Sequence, residues 1–201
     1  DRGLVGSEMC IRDRSYTDKL KEGVFKSALL MRPVFETAKR VKRRIVFAEG
    51  EDERVLRAAQ AILEETSEQP ILIGRPSVLE QRCERLGLVV RPGRDFEIVN
   101  PEDDPRYRDY WTSYHEKMCR RGITPDLAKA IMRTNTTAIA AVMVHRGEAD
   151  NLICGTFGEY RWHLKYVEQV LGAQDCMPHG ALSMMILEDG PLFIADTHIN
   201  T

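Results

Sequence analysis

Three short segments of this 201-residue chain combine residue types that could do chemistry. The first is Gly155-Thr156-Phe157-Gly158, which follows a strand-like apolar run at 151–154 and precedes a helix-like run at 159–171, closed by Gly172. Glycines let a backbone approach a ligand closely, and a helix start presents free N–H groups to an anion. Thr156 adds a hydroxyl, Tyr160 a phenol and, one turn in, Arg161 a guanidinium, while Glu159 would oppose a phosphate. The spacing matches neither GxxxxGK[ST] nor GxGxxG. Gly155, Thr156, Gly158, Tyr160 and Arg161 therefore stand as general anion-site candidates, and Arg133 joins them on charge alone. The second segment is Glu49-Gly50-Glu51-Asp52, placed after an earlier strand-like run. Its acids could orient a hydroxyl or pair with a base beyond the carboxyl end of a strand, or they could simply complement a helix dipole. They would repel a phosphate. A third place is Asp196-Thr197-His198, where an acid and a base could follow a strand; Asp196 and the nearby Asn200 join the anion-site candidates. The histidines His115, His145, His163, His179 and His198 have no metal-ligand spacing, and there is no GxSxG elbow. The pattern assigns no catalytic residue and no metal ligand.

The elements that must carry these residues alternate. Ile45-Val46-Phe47-Ala48, Ile71-Leu72-Ile73 and Glu97-Ile98-Val99 read as strands, separated by helical spacing at Val55, Leu56, Ala59, Ile62 and Leu63 and by a short helix from Ser77 to Gly87. Strand, helix, strand, helix, strand predicts βαβ units and a mainly parallel sheet. Asp104-Pro105 predicts a helix start, and Tyr107, Tyr110, Trp111, Tyr114 and Met118 then mark one buried face, ending at Gly122. Thr124-Pro125 repeats the cap signal, and Asn135 or Thr136 opens an apolar helix that stops near Gly147. Residues 183–187 and 192–195 predict a hairpin turning at Asp189-Gly190. Residues 16–39 read as a helix broken at Pro33, followed by a basic cluster from Lys39 to Arg44 that is either a solvated helix end or a phosphate patch.

Lysine and arginine number 29, aspartate and glutamate 31, so there is no long-range field to gather a polyanion, and nucleic-acid binding is not expected. No apolar run approaches the ~20 residues that cross a bilayer. Five cysteines, Cys10, Cys83, Cys119, Cys154 and Cys176, lack a CxxC and fit a reducing cytoplasm. The stretch LVGSEMCIRDR resembles translated sequencing-adapter sequence, so residues 1–15 are read as non-native, a disordered native terminus being the alternative. The chain is expected to stop within a domain.

Longer motifs carry a resemblance. RRIVFAEGEDERVLRAAQ (43–60), PILIGRP (70–76), ADNLICGTFGEY (149–160) and FIADTHIN (193–200) resemble the phosphate acetyltransferase/butyryltransferase family. MRPVFETAKR (31–40), DPRYRDYWTSYHEKMCRRGITPDLAKA (104–130) and CGTFGEYRWHL (154–164) are similar to one branch, the C-terminal phosphotransacetylase-like domain of bacterial NADP-dependent malic enzymes. The resemblance implies a three-layer, two-lobed α/β fold of the isocitrate/isopropylmalate dehydrogenase kind, truncated here, with a first lobe at 16–146 and the start of a second at 147–201. It implies acetyl-CoA as effector or substrate and a homo-oligomer, with neither nucleic acid nor membrane as partner. NADP, a divalent metal and malate chemistry would belong to a separate module. The family's catalytic serine, arginine and aspartate would lie past Thr201. Where active members carry a Ser/His/Thr-rich loop, this chain has Gly155-Thr156-Phe157-Gly158-Glu159-Tyr160-Arg161. That departure implies an acetyl-CoA-sensing domain without acyl transfer, with a working phosphate acetyltransferase as the alternative.

Overall fold

The computed structural model describes residues 29, 31–66, 68–172, 180–187 and 190–195. The expectations for residues 1–15, for 16–28, for the turn residue Asp189, and for Asp196, Thr197, His198 and Asn200 lie outside them. Two compact units divide the chain, one spanning Lys42–Cys176 and the other joining Asp1–Val41 to Met177–Thr201.

The Lys42–Cys176 unit is built on four short parallel strands, β1 (Ile45–Phe47), β2 (Ile71–Ile73), β3 (Glu97–Val99) and β4 (Asn151–Ile153), in the order β3-β2-β1-β4. Val46 pairs with Ile71 on one side and Leu152 on the other, and Leu72 pairs with Ile98. Successive strand residues face opposite ways, and both faces are covered. Val46, Ala48, Ile71, Ile73 and Val99 join a core with helices α3 (Tyr107–Met118), α4 (Pro125–Thr134), α5 (Thr136–His145) and α6 (Tyr160–Leu171). Phe47 and Leu72 point into a second core with α1 (Glu53–Thr66) and α2 (Pro76–Leu86). This is the parallel α/β architecture read from the alternation of elements, with helices on both faces of the sheet. β4 pairs with β1, and the unit continues through α6.

Local chemistry explains the helix limits. Thr124 accepts the Leu127 N–H at 3.3 Å and Asn135 accepts the Ala138 N–H at 2.9 Å, so both expected caps open their helices. In α5 the run Thr137–Met143 is wholly buried, which suits a helix packed on several sides. Tyr110, Tyr114 and Met118 form the buried stripe of α3, with Tyr107 and Trp111 packed at its margin. That helix begins later than Asp104-Pro105 suggested. Asp104 instead takes the Arg106 N–H at 2.8 Å and its guanidinium at 3.0 Å, closing a turn ahead of Tyr107. The helix also ends earlier, and a 3-10 turn, Cys119–Arg121, bridges to Gly122. Within the basic cluster, Arg44 is structural: its side chain donates to Gly147 O at 2.8 Å and pairs with Asp150 at 3.3 Å.

In the other unit, residues 31–40 are helical through Pro33, which therefore does not break the helix. Proline forfeits one N–H bond, but its carbonyl still accepts, here from the Thr37 hydroxyl at 2.9 Å. Leu182–Leu187 (β5) and Gly190–Ala195 (β6) pair antiparallel from Leu182↔Ala195 to Leu187↔Gly190, so the second strand starts two residues before Leu192. Among the described residues, no helix is long and apolar enough to cross a membrane.

Candidate functional site

The carboxyl ends of β1, β2 and β3 open onto a cavity of about 400 Å³, a size and position usual for small-ligand sites in parallel sheets. Its wall is made by the residue runs that leave each strand. Ala48, Glu49, Glu51 and Asp52 follow β1, Gly74 and Arg75 follow β2, and Pro101 and Glu102 follow β3. Arg82 of α2, Arg133 at the end of α4, Thr136 at the start of α5 and Phe157 complete the lining.

The acidic loop can reach this position only because residue 50 is glycine. A Cβ there would lie 2.7 Å from Ile73 O and 2.8 Å from Leu72 Cβ, and the Gly50 N–H already donates to Ile73 O at 3.0 Å. The loop is thus clamped to β2, and its carboxylates fan out to separate partners. Glu51 receives the Arg75 N–H at 2.9 Å and its guanidinium at 2.9 and 3.0 Å. Those bonds hold the Glu51 carboxyl below its ordinary value against the opposing effect of burial. Asp52 receives Arg54 in the same way, and the Arg54 bonds hold its carboxyl at about 2. Glu49 is only 5% exposed and takes the Gly155 N–H on both oxygens, at 3.2 and 3.1 Å.

The arginines differ in how their charge is met. Arg75 faces a carboxylate. Arg82 donates to the main-chain oxygen of Glu51. Arg133 donates to Glu102 O at 2.6 Å and stacks 4.2 Å from the Tyr107 ring centre. Carbonyl oxygens and an aromatic face orient a guanidinium without cancelling its charge.

The loop after β4 is held from behind. The His163 Nε2–H donates to Phe157 O at 2.7 Å, since a carbonyl only accepts, and Nδ1 is hydrogen-bonded with the Thr137 hydroxyl at 2.8 Å. Glu49 Oε1 lies 3.7 Å from Nδ1. Arg54 donates to Thr156 O. Gly155 and Gly158 have φ of 100° and 85°, so glycine here serves a left-handed backbone turn. The Cys154 thiol, just before the loop, is pushed up to about 11 by burial and by Glu49, which keeps it from acting as a thiolate nucleophile near neutrality.

The candidates read from sequence therefore separate. Arg133 lines the cavity. Gly155 and Gly158 shape the neighbouring loop, with the Gly155 N–H committed to Glu49. The Thr156 hydroxyl is buried beside the Asp52 carboxylate, which it helps to hold in its charged form. Tyr160 and Arg161 are exposed on the first turn of α6, outside the cavity lining. Asp196 and Asn200 lie outside the described residues. Pattern reading passed over Arg75, Arg82 and Phe157. Arg75 carried a usable signal, since it directly follows the glycine that closes a strand, where parallel sheets place ligand contacts. Among the described residues, no three of His, Cys, Asp and Glu gather as a metal site would require.

Comparison with known proteins places this geometry. The family model for phosphate acetyl/butaryl transferase matches residues 29–201. Over 92% of this chain, it is 52% identical to an NAD-dependent malic enzyme of Rhizobium meliloti and 49% identical to an NADP-dependent malic enzyme of Salmonella typhimurium. It spans about a quarter of those relatives, 24% and 25%. Among solved structures, the EutD phosphotransacetylase from Staphylococcus aureus superposes with a TM-score of 0.68 at 24% identity, covering 79% of this chain and 47% of that one. With the family model matched over residues 29–201, this chain belongs to the phosphate acetyl/butaryl transferase family.

Proposed function

We propose that this chain is the phosphotransacetylase-like, C-terminal region of a decarboxylating malic enzyme, which converts malate to pyruvate and CO2 with reduction of NADP, and that it senses acetyl-CoA without carrying out acyl transfer. The observation that carries the reading is the pairing of 52% identity to a malic enzyme with a Gly155-Thr156-Phe157-Gly158 loop whose one hydroxyl, on Thr156, is buried and which gives the cavity lining only Phe157. Acyl transfer needs groups aimed at the reacting carbonyl. A sensor needs only to bind its effector better in one state of the enzyme than in another. The malate and nicotinamide chemistry, with a divalent metal, then belongs to a separate module of a cytoplasmic homo-oligomer. The relatives' names divide between NAD and NADP, so the choice of nicotinamide is a property of that module.

The test is calorimetric titration of the complete parent protein with acetyl-CoA, alongside malate turnover. Binding together with slower turnover is expected; no binding and unchanged turnover would overturn the reading. A second reading, a phosphate acetyltransferase, has the family match behind it. It predicts acetyl phosphate from acetyl-CoA and phosphate, which the sensor reading does not.

A further inference from the structure

We infer that the helix at 31–40 is a packed joint between modules, its apolar face covered by the nicotinamide-dependent part of the parent polypeptide that precedes it. Met31, Val34, Phe35, Ala38 and Val41 recur at i, i+3, i+4, i+7 and i+10, which places them along one side of the helix axis. Arg32, Glu36, Lys39 and Arg40 fall on the other side. A stripe of this kind belongs to a helix lying on a partner. Its residues are nonetheless not buried: Val34 and Phe35 are 53% and 50% exposed, Val41 is 45% exposed, and Ala38 is exposed as well. A helix this short is below the ~12–15 residues at which isolated helices become even marginal in water, so its stability comes from a surface packed on the stripe. Thr37, at the margin of the stripe, has its hydroxyl bonded to Pro33 O at 2.9 Å and offers an apolar groove no unmet donor.

Size decides what covers it. The helix is about 15 Å long at 1.5 Å per residue, and the side chains of one stripe on it present well under the ~800 Å² per partner that a stable complex of separate molecules buries. A second copy or a freely diffusing protein is therefore too weakly held. A surface tethered in the same polypeptide is not, because a short connection raises its effective concentration to the millimolar range. The chain spans 24% and 25% of two malic-enzyme relatives. On the malic-enzyme reading, which this inference assumes, it is their C-terminal region, and the larger part of the polypeptide is joined ahead of it. The family match begins at residue 29, so the stripe stands at that junction, where the tether to the preceding module is shortest.

The experiment replaces Phe35 with a benzophenone photo-crosslinking residue in the complete parent protein and maps the crosslinked peptides by mass spectrometry, with malate turnover measured on the same preparation. A crosslink within one polypeptide, to a segment preceding this chain, is expected. A crosslink between copies, one to a segment following Thr201, or none at all would overturn the joint. Limited digestion with trypsin gives a second measurement, because Lys39 and Arg40 lie on the helix and cleavage there tracks the population of the undocked state. Val34→Ser combined with Phe35→Ser should speed that cleavage roughly 10-fold or more by removing apolar contact. Glu36→Ser, on the polar face, should leave it unchanged. Both substituted apolar residues are exposed in this domain's own structure, so the double variant keeps the domain core and its cleavage reports the partner; a rate equal to wild type would overturn docking. A crosslink to the preceding segment without malate turnover would uphold the joint and overturn the malic-enzyme reading. Malate turnover without that crosslink would do the reverse.

Discussion

The loops after β1 and β4 leave neighbouring parallel strands and spend their polar groups in opposite ways. The β1 loop, Glu49-Gly50-Glu51-Asp52, sends carboxylates to arginines on other elements and forms much of the cavity wall. The β4 loop, Gly155-Thr156-Phe157-Gly158, gives its first N–H to Glu49, a carbonyl to Arg54 and another to His163, and only Phe157 reaches the cavity. The glycine-rich loop, which looks like a phosphate cradle, is a scaffold for one aromatic side chain. The acid-rich loop, which looks hostile to anions, has two of its three carboxylates paired with arginines, Glu51 with Arg75 and Asp52 with Arg54. Whether a loop can bind depends on which donors remain after the protein has used its own.

If the β1 loop is fixed by backbone contact with β2, Gly50→Ala is the most damaging single change in the pair. The added Cβ would meet a strand carbonyl and a buried Leu72, neither of which can swing aside. A loss of about 3 kcal/mol is expected from such overpacking, read as a lowered urea midpoint; an unchanged midpoint would show that the clamp is not rigid. If the β4 loop is fixed instead by buried hydrogen bonds, His163→Leu should cost about 2 kcal/mol, since His163 is 4% exposed and bonded at both nitrogens. It should also weaken ligand binding by freeing Phe157. Stability loss with unaltered ligand affinity would separate the loop from the site. Asn135→Ala removes the cap of α5, beside the cavity-lining Thr136, and should cost about 1 kcal/mol in the same assay.

Much of this contrast was visible in the sequence only as position. The strands β2 and β3 stand where their apolar runs placed them, and Thr124 and Asn135 cap as their types required, because period and capping are local properties. The stripe of Tyr110, Tyr114 and Met118 was legible for the same reason. What was not legible is pairing over distance. Glu49 with Gly155, Arg54 with Thr156 and Thr137 with His163 are separated by 106, 102 and 26 residues, and no spacing rule connects them. Arg82 reads as one more charge on an amphipathic helix until α2 is docked on the sheet. The pairing of β4 with β1 is of the same kind, joining strands a hundred residues apart and keeping the chain through α6 in one unit.

The smallest expected effect concerns the pair that keeps the β1 loop from repelling an anion. Asp52 would ordinarily titrate near 3.8, and Arg54 holds it at about 2. The folded protein therefore keeps Asp52 ionised where the unfolded chain has protonated it. The stabilisation is fully present above the ordinary value, declines as pH falls from 3.8 towards 2, and is gone below that. Arg54 is 69% exposed in this pair, so solvent and salt screen it, and the contribution is modest. Wild type and Asp52→Asn compared in urea at neutral pH and then at successively lower pH should show a small gap that closes on acidification. A gap that persists at the acid end would mean that Asp52 acts through packing and not through its charge.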